Sequence, residues 1–262
     1  MNRLSAFGSS EPPVSSPHAA SETLPALPHL SRCVDHPRRF FLPTRYEVNY
    51  RYPLIVWLHS DGFNENQIAQ VMPHISLQNY IGAGIRGSRS IDPAGHRFDW
   101  TNQAASVARC EDAIWRAIDD AEERYSVHSD RIFLAGYGAG ATMAQRVSLR
   151  HPGAFAGSVA LGGRFPRGGG VLSNLEAARR LKRFWAVAIG NPHLPPTDFD
   201  QDMALASAAR LRMDVRRYTV ADEMVREILS DVNAWIMERV TGGDTPSSCF
   251  NWETEEVSFS AN

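Results

Sequence analysis

The stretch "IFLAGYGAGATMA", residues 132–144, decides the fold of this chain. It opens as an apolar run of strand length, passes glycines at positions 136, 138 and 140, and continues with residues typical of a helix. A strand that turns sharply into a helix through glycines is the context of a nucleophile elbow, whose pattern places a serine between two glycines. Here Gly138 holds the middle position. The pattern therefore predicts the backbone of a nucleophile turn without its nucleophile.

A dinucleotide-binding turn is the other interpretation of a glycine-rich strand–turn–helix unit. Such a turn requires an acidic residue at the end of the next strand, where it contacts the ribose. The turn around Gly138 lies in the middle of the chain, and no acidic residue follows at the expected strand end. The spacing therefore favours the elbow.

On both sides of this turn, segments with strand patterns alternate with segments of helical period. Short apolar runs lie at 52–59, 79–87, 131–136, 157–163 and 184–190. Runs that are apolar on both faces are typical of a parallel sheet covered by helices. The segment 214–220 alternates apolar and polar residues, which indicates a strand nearer the edge of the sheet.

Helical segments lie between these runs. In 102–125 and 224–240 the apolar residues share one face, and the helix after Gly138 is predicted to end at Arg150, before His151-Pro152-Gly153. Alternation of this kind predicts an α/β domain, doubly wound, with a mostly parallel sheet and helices on both faces. Ligands of such sheets bind at the carboxyl ends of the strands. The loops after residues 59, 87, 136, 190 and 220 are therefore predicted to surround one crevice.

Composition excludes several classes of function. The 262 residues have a net charge of -2, so no basic field favours nucleic acid or an anionic membrane surface. The N-terminus has no apolar core of signal-peptide length, and no apolar run approaches the ~20 residues of a membrane span. We therefore expect a cytoplasmic protein. Cys33, Cys110 and Cys249 are far apart, so neither a disulfide framework nor a zinc site is expected.

The chain divides into three parts by composition. Residues 1–37 are rich in Pro, Ser, Ala and His, which predicts a disordered leader. Residues 38–240 carry the strand and helix patterns of the α/β domain. Residues 241–262 begin with a Thr-Gly-Gly breaker cluster and end acidic, which predicts a flexible tail.

Four segments together carry a resemblance to a known family. They are "PLIVWLHSDGFNENQ", "DRIFLAGYGAGATMAQRVSLRHPGAFAGSVALGGRFP", "FWAVAIGNPHLPP" and "VRRYTVADEMVREILSDVNAWI". In order and spacing they resemble the phospholipase/carboxylesterase branch of the α/β hydrolases, which includes acyl-protein thioesterases. The resemblance covers about residues 40–240. It implies the α/β-hydrolase fold and hydrolysis of acyl esters by a Ser–His–Asp triad, with no metal and no cofactor.

Carried over position by position, the resemblance implies a degenerate triad. The family's serine position is Gly138. The acid position falls on His193, in "GNPHLPP", and the base position falls on Asp222, in "VADEM". The spacing from Asp222 to the final helix supports the last assignment. All three positions therefore hold residues of another type.

The same resemblance places two backbone N–H groups of an oxyanion hole at Asp61 and Ala139. Backbone amides do not depend on residue type, so Ala139 can still donate into the site. Ser60 stands where the family has glycine, and Asp61 brings a carboxylate close to the hole. If that carboxylate faces inward, it opposes a developing oxyanion, whose stabilisation is worth ~2.7–4 kcal/mol per donor.

These observations favour a catalytically inactive pseudo-hydrolase that binds a small acyl or anionic ligand, or a protein partner, through the old crevice. The segment 84–100 contains Arg86, Arg89 and Arg97, which are candidates for contacting such a ligand. A solvated surface loop would also explain these arginines. One alternative is a weak or unconventional carboxylic-ester hydrolase in which His193 and Asp222 form a water-activating pair. The other is an interaction protein that works through its tails.

Overall fold

The computed structural model describes residues 36–168 and 170–242. Nearly all of the predicted leader and tail, with Cys33 and Cys249, lies outside the described residues, so those two predictions stay predictions. Cys110 is a free, fully buried thiol, and burial raises its pKa. None of the helices in the described residues combines the length and apolarity needed to cross a bilayer.

Seven strands form one sheet in the spatial order β1-β3-β2-β6-β7-β8-β9, and β4 and β5 form a separate small hairpin. Only β1, which is antiparallel to β3, departs from the parallel arrangement of the main sheet. The strands are β1 Arg38–Phe41, β2 Tyr52–Leu58, β3 Ile81–Ile85, β4 Arg89–Ser90, β5 Phe98–Asp99, β6 Val127–Tyr137, β7 Gly157–Leu161, β8 Arg183–Ala188 and β9 Met213–Tyr218.

Helices cover both faces of the sheet. They are α1 Ile68–Ile75, α2 Ala104–Arg124, α3 Ala139–Arg150, α4 Leu175–Ala178, α5 Pro196–Ala208 and α6 Arg226–Thr241. Alternate residues of each strand face opposite layers: Leu54 and Val56 pack with α2 and α3, whereas Ile55 and Trp57 pack with α1 and α6. This two-sided burial is why β2, β3, β7 and β8 read as continuous apolar runs.

The predicted fold class is confirmed. Strand β9, whose sequence alternates, is indeed the edge strand, and α3 ends at Arg150 as its sequence predicts. The carboxyl ends of β2, β3, β6, β8 and β9 meet at one edge of the sheet. The loops that follow them lie together at this edge and carry the candidate site.

Candidate active site

The turn between β6 and α3 has the geometry of a nucleophile elbow. Gly138 has φ 57° and ψ −122°, a left-handed conformation that strains residues with a side chain. A Cβ on Gly140 would lie 2.3 Å from the carbonyl oxygens of Leu58 and His59. The flanking glycine is therefore needed because the backbone of β2 passes directly against the turn. The elbow is intact, and the position that would present a nucleophile carries no side chain.

The Asp61 carboxylate occupies the space beside the elbow. Its Oδ2 accepts a hydrogen bond from the Ala139 N–H at 3.1 Å. The same oxygen lies 2.9 Å from the point that a Cβ on Gly138 would occupy. Ala139 opens α3, and the first amides of a helix attract negative charge. The protein thus places its own carboxylate on the amide expected to hold an oxyanion, and a second anion there would be repelled.

The three carried-over triad positions are not joined to one another. His193 is exposed in the loop after β8, where its backbone N–H donates to Asn191 Oδ1 at 2.8 Å. Asp222 lies in the loop after β9 and accepts hydrogen bonds from the Tyr137 hydroxyl at 2.8 Å and the Met224 N–H at 2.6 Å. No hydrogen bond or ion pair connects the side chains of His193 and Asp222 in the part of the chain that the structure describes.

Tyr137 is the residue that brings Asp222 to the elbow, since it directly precedes Gly138. Burial raises its pKa, and the hydrogen bond to Asp222 and the charges of Asp222, Glu223 and Asp61 raise it further. The phenol therefore stays protonated and donates to Asp222. The Asp222 carboxylate contacts this hydroxyl, and the charges of Asp61 and Glu223 also act on it, so the electrostatic potential beside the elbow is negative.

Glu223, next to Asp222, ties the loops after β8 and β9 together. Its side chain is fully buried, and Oε1 accepts hydrogen bonds from the Ala188 N–H at 2.8 Å and from Asn191 Nδ2 at 2.9 Å. Burial raises the pKa of this carboxyl, against the opposing effect of those hydrogen bonds. Glu223 thus positions Asn191, which in turn holds the backbone of His193.

His59, at the end of β2, is completely buried and uses both ring nitrogens. Nε2 accepts a hydrogen bond from the Gly87 N–H at 2.8 Å, so the proton lies on Nδ1, which donates to the Ser60 carbonyl at 2.7 Å. The indole N–H of Trp100 donates to the His59 carbonyl oxygen at 2.8 Å. Burial is the main reason why the pKa of His59 falls to about 4. The ring is therefore neutral near pH 7 and fastens β2 to the loop after β3.

The arginines of the segment 84–100 pair mostly within the protein. Arg86 contacts both oxygens of Glu65, at 2.7 and 2.5 Å, and lies over the Phe98 ring. Arg89 pairs with Asp99 at 2.5 Å. Of these three arginines, only Arg97 lacks a carboxylate partner within residues 36–168 and 170–242; its Nε lies 3.4 Å from the Gly62 carbonyl oxygen. Because two of the three arginines are neutralised by carboxylates, this segment does not form a strongly cationic pocket.

Sequence reasoning singled out Asp61, Ala139, Gly138, His193 and Asp222, but not the three residues that hold their loops. Those residues are Tyr137, Asn191 and Glu223. The sequence position of Tyr137, the last strand residue before the elbow, could have identified it. Glu223 could have been identified as the neighbour of Asp222. Their roles depend on loop side chains whose directions no periodic pattern encodes.

The family model for Esterase PHB depolymerase matches residues 38–198, which is more than half of the chain. No curated protein matches the sequence.

Solved structures match over most of the chain. The carboxylesterase of Mesorhizobium loti has a TM-score of 0.62 at 17% identity, covering 80% of this chain and 98% of that one. The Bacillus cereus carboxylesterase scores 0.59 at 15% identity, covering 78% and 94%. SOBER1 of Arabidopsis thaliana scores 0.61 at 16% identity, covering 73% and 100%. These matches confirm the α/β-hydrolase fold, and the family match shows that the chain belongs to the Esterase PHB depolymerase family.

Proposed function

We propose that this protein is a pseudo-hydrolase: an α/β-hydrolase-fold protein that has lost ester hydrolysis and binds a small ligand or a protein partner through the former substrate crevice. One observation carries the proposal. At the elbow Gly138 offers no hydroxyl, and the Asp61 carboxylate sits 3.1 Å from the Ala139 amide nitrogen. This turn therefore offers no hydroxyl nucleophile at position 138, and the Ala139 N–H, one of the two expected oxyanion donors, already has an acceptor.

The magnitudes support this proposal. Without an Oγ no acyl-enzyme forms at position 138, and serine hydrolases stripped of triad members keep only ~10³–10⁴-fold catalysis over water. Much of that remaining rate enhancement comes from the oxyanion hole. Here the Asp61 carboxylate already accepts the hydrogen bond of one expected donor, the Ala139 N–H, so the remaining rate enhancement should be smaller still.

The negative charge beside the elbow also restricts which class of ligand could bind there. The carboxylates of Asp61, Asp222 and Glu223 all act on the Tyr137 hydroxyl. An anionic group placed beside the elbow would meet like charge, so we propose a neutral acyl group or a protein segment as the occupant.

The alternative, a water-activating pair of His193 and Asp222, has less support. Such a pair works as a general base only when the imidazole and the carboxylate lie within hydrogen-bond reach. Asp222 is instead held by Tyr137 and Met224, and His193 is exposed.

Hydrolysis of p-nitrophenyl acetate and butyrate by the purified protein tests the proposal. We expect no turnover above the buffer rate. The revertant Asp61→Gly, Gly138→Ser, His193→Asp, Asp222→His should gain activity, and the same revertant with Asp61 retained should gain less. The same protein with Gly138→Ala in place of Gly138→Ser is the control for general effects of the other substitutions. Saturable turnover by the unmodified protein that disappears in His193→Ala would instead establish the weak hydrolase.

A further inference from the structure

A second concave region lies at the opposite edge of the sheet from the elbow, at the amino ends of β7 and β8. It is a half-open cavity of about 510 Å³. Its lining comes from the turn after α3, from the segment between α4 and β8, and from the last turn of α6. The side chains of Phe155 and Leu181, both largely buried, contribute apolar surface. Its volume is in the range of pockets that hold ligands.

Three cationic side chains line this cavity, against the single carboxylate of Glu238. Arg180 and Lys182 are exposed, and neither forms an ion pair within the described residues. The Arg239 guanidinium lies 3.4 Å from the centre of the Trp235 ring, and its Nε is buried without a hydrogen-bond partner in the described part of the chain. Arg239 pairs with Glu238 at 3.4 Å, so Arg180 and Lys182 are the lining cations without an ion-pair partner among the described residues. An apolar surface beside these two cations favours a partner that is both aromatic and acidic.

The chain itself supplies such a segment at the rim of the cavity. Helix α6 ends at Thr241 and is capped by Gly242, which lines the cavity, has φ 71° and donates its N–H to the Glu238 carbonyl. Residues 243–262 contain four carboxylates, no lysine or arginine, and three large aromatic residues: Asp244, Glu253, Glu255, Glu256, Phe250, Trp252 and Phe259. Twenty residues span up to ~65 Å when extended, so this segment can reach any point of the cavity.

We propose that residues 250–256, "FNWETEE", dock into this cavity of the same chain. In this proposal Phe250 and Trp252 cover the apolar surface, and the glutamates face Arg180 and Lys182. Charge complementarity and direct continuity with Gly242 at the rim are the reasons for choosing this occupant. Tethering raises the effective concentration of the segment to the millimolar range, so modest contacts suffice to hold it.

Lys182 is the only lysine in the chain, and this makes a sharp test possible. A carbodiimide joins an ammonium group to a carboxylate that touches it, forming an amide. In the full-length protein we expect a cross-link between Lys182 and Glu253, Glu255 or Glu256, identified by mass spectrometry of the digest. A 1:1 mixture of ¹⁴N- and ¹⁵N-labelled protein distinguishes cross-links within one chain from those between chains.

Two variants and one control complete the experiment. Arg180→Glu and Trp252→Ala should each lower the cross-link yield about fivefold, since each removes one of the two kinds of contact. Arg51→Glu reverses another exposed arginine, away from the cavity, and should leave the yield unchanged. Lys182→Arg removes the reactive amine and shows that the product depends on it.

Three results would overturn the proposal: no Lys182–tail product, products that join differently labelled chains, or a yield that neither Arg180→Glu nor Trp252→Ala changes. Hydrolytic activity is not part of the readout, so the outcome is independent of the pseudo-hydrolase proposal.

Discussion

At the scale of single residues, the glycine at position 138 of the elbow and the position of the Asp61 carboxylate belong together. A side chain at position 138 would be strained by the left-handed backbone and would approach Asp61 Oδ2 to 2.9 Å. Glycine removes both costs. The carboxylate then has room to accept the Ala139 N–H, which leaves the amide satisfied.

We expect Gly138→Ser to be destabilising by about 1–3 kcal/mol, because it restores the strain and crowds the carboxylate. In an Asp61→Gly background the loss should be smaller by about 1 kcal/mol, since neighbouring residues couple. Urea unfolding of the four proteins of this cycle measures the coupling. Gly153→Ser is the matched control, because a Cβ there meets nothing within 4 Å. Equal losses in both backgrounds would show that Asp61 does not crowd position 138.

His59 should remain neutral to unusually low pH. Its pKa of about 4 lies below the ordinary value near 6.5, so the unfolded chain binds the proton first as the pH falls. Stability from this group is therefore present above about pH 6.5 and is lost between 6.5 and 4, by roughly 3 kcal/mol. NMR titration of the ring should show the Nδ1–H tautomer and a midpoint near pH 4. A midpoint near 6.5 would mean that the ring is not buried as described.

At the scale of elements, a buried carboxylate fastens the loop after β7 to α5. Asp202 is fully buried and accepts hydrogen bonds from Arg164 Nε at 2.6 Å, Arg167 Nη2 at 2.7 Å and the Phe165 N–H at 3.0 Å. Burial alone would raise the pKa of Asp202, but these hydrogen bonds and the nearby charge of Arg164 outweigh it and hold the pKa below its usual range. The segment 164–167, which follows Gly163 beside the elbow, is thereby fixed.

Asp202→Ala should lower the free energy of unfolding by about 2 kcal/mol, because it leaves the buried Phe165 N–H without its acceptor and removes the buried carboxylate that pairs with Arg164 and Arg167. The figure stays modest because both arginines are partly exposed. Asp200→Ala, an exposed position of the same helix, should change the free energy of unfolding by less than about 0.5 kcal/mol. Hydrogen exchange should also accelerate at residues 163–167 in Asp202→Ala alone. Similar behaviour of the two variants would contradict the role given to Asp202.

Whether an element can be predicted from the sequence depends on how it is buried. Strands covered on both faces appear as apolar runs, and α2 and α6 as long amphipathic patterns, so these were predictable. Strand β1 was not, because its four residues, "RRFF", follow a polar segment and pair with β3 far along the chain. Helix α1 is short and contains Pro73, which is typical of a break rather than a helix.

At the scale of the whole molecule, the fold and the candidate site differ in how far the sequence predicts them. The α/β-hydrolase fold follows from patterns spread over some 200 residues, which is why it survives at 14–17% identity among the matching structures. The site depends on a few loop side chains. The family resemblance assigns the acid and base positions to His193 and Asp222, which the structure places in the loops after β8 and β9. It does not predict that Asp222 accepts a hydrogen bond from Tyr137 or that Asp61 accepts one from the Ala139 N–H. Such orientations arise from contacts between distant segments.

Whether the protein holds an activated nucleophile is tested by intact-mass spectrometry of the full-length protein after treatment with a fluorophosphonate, which forms a covalent adduct with an activated serine. We expect no adduct on the unmodified chain, because position 138 carries no hydroxyl. The revertant Asp61→Gly, Gly138→Ser, His193→Asp, Asp222→His should gain a single adduct at the restored serine. An adduct on any residue that lines the crevice of the unmodified protein would contradict the claim that this crevice has lost its nucleophile.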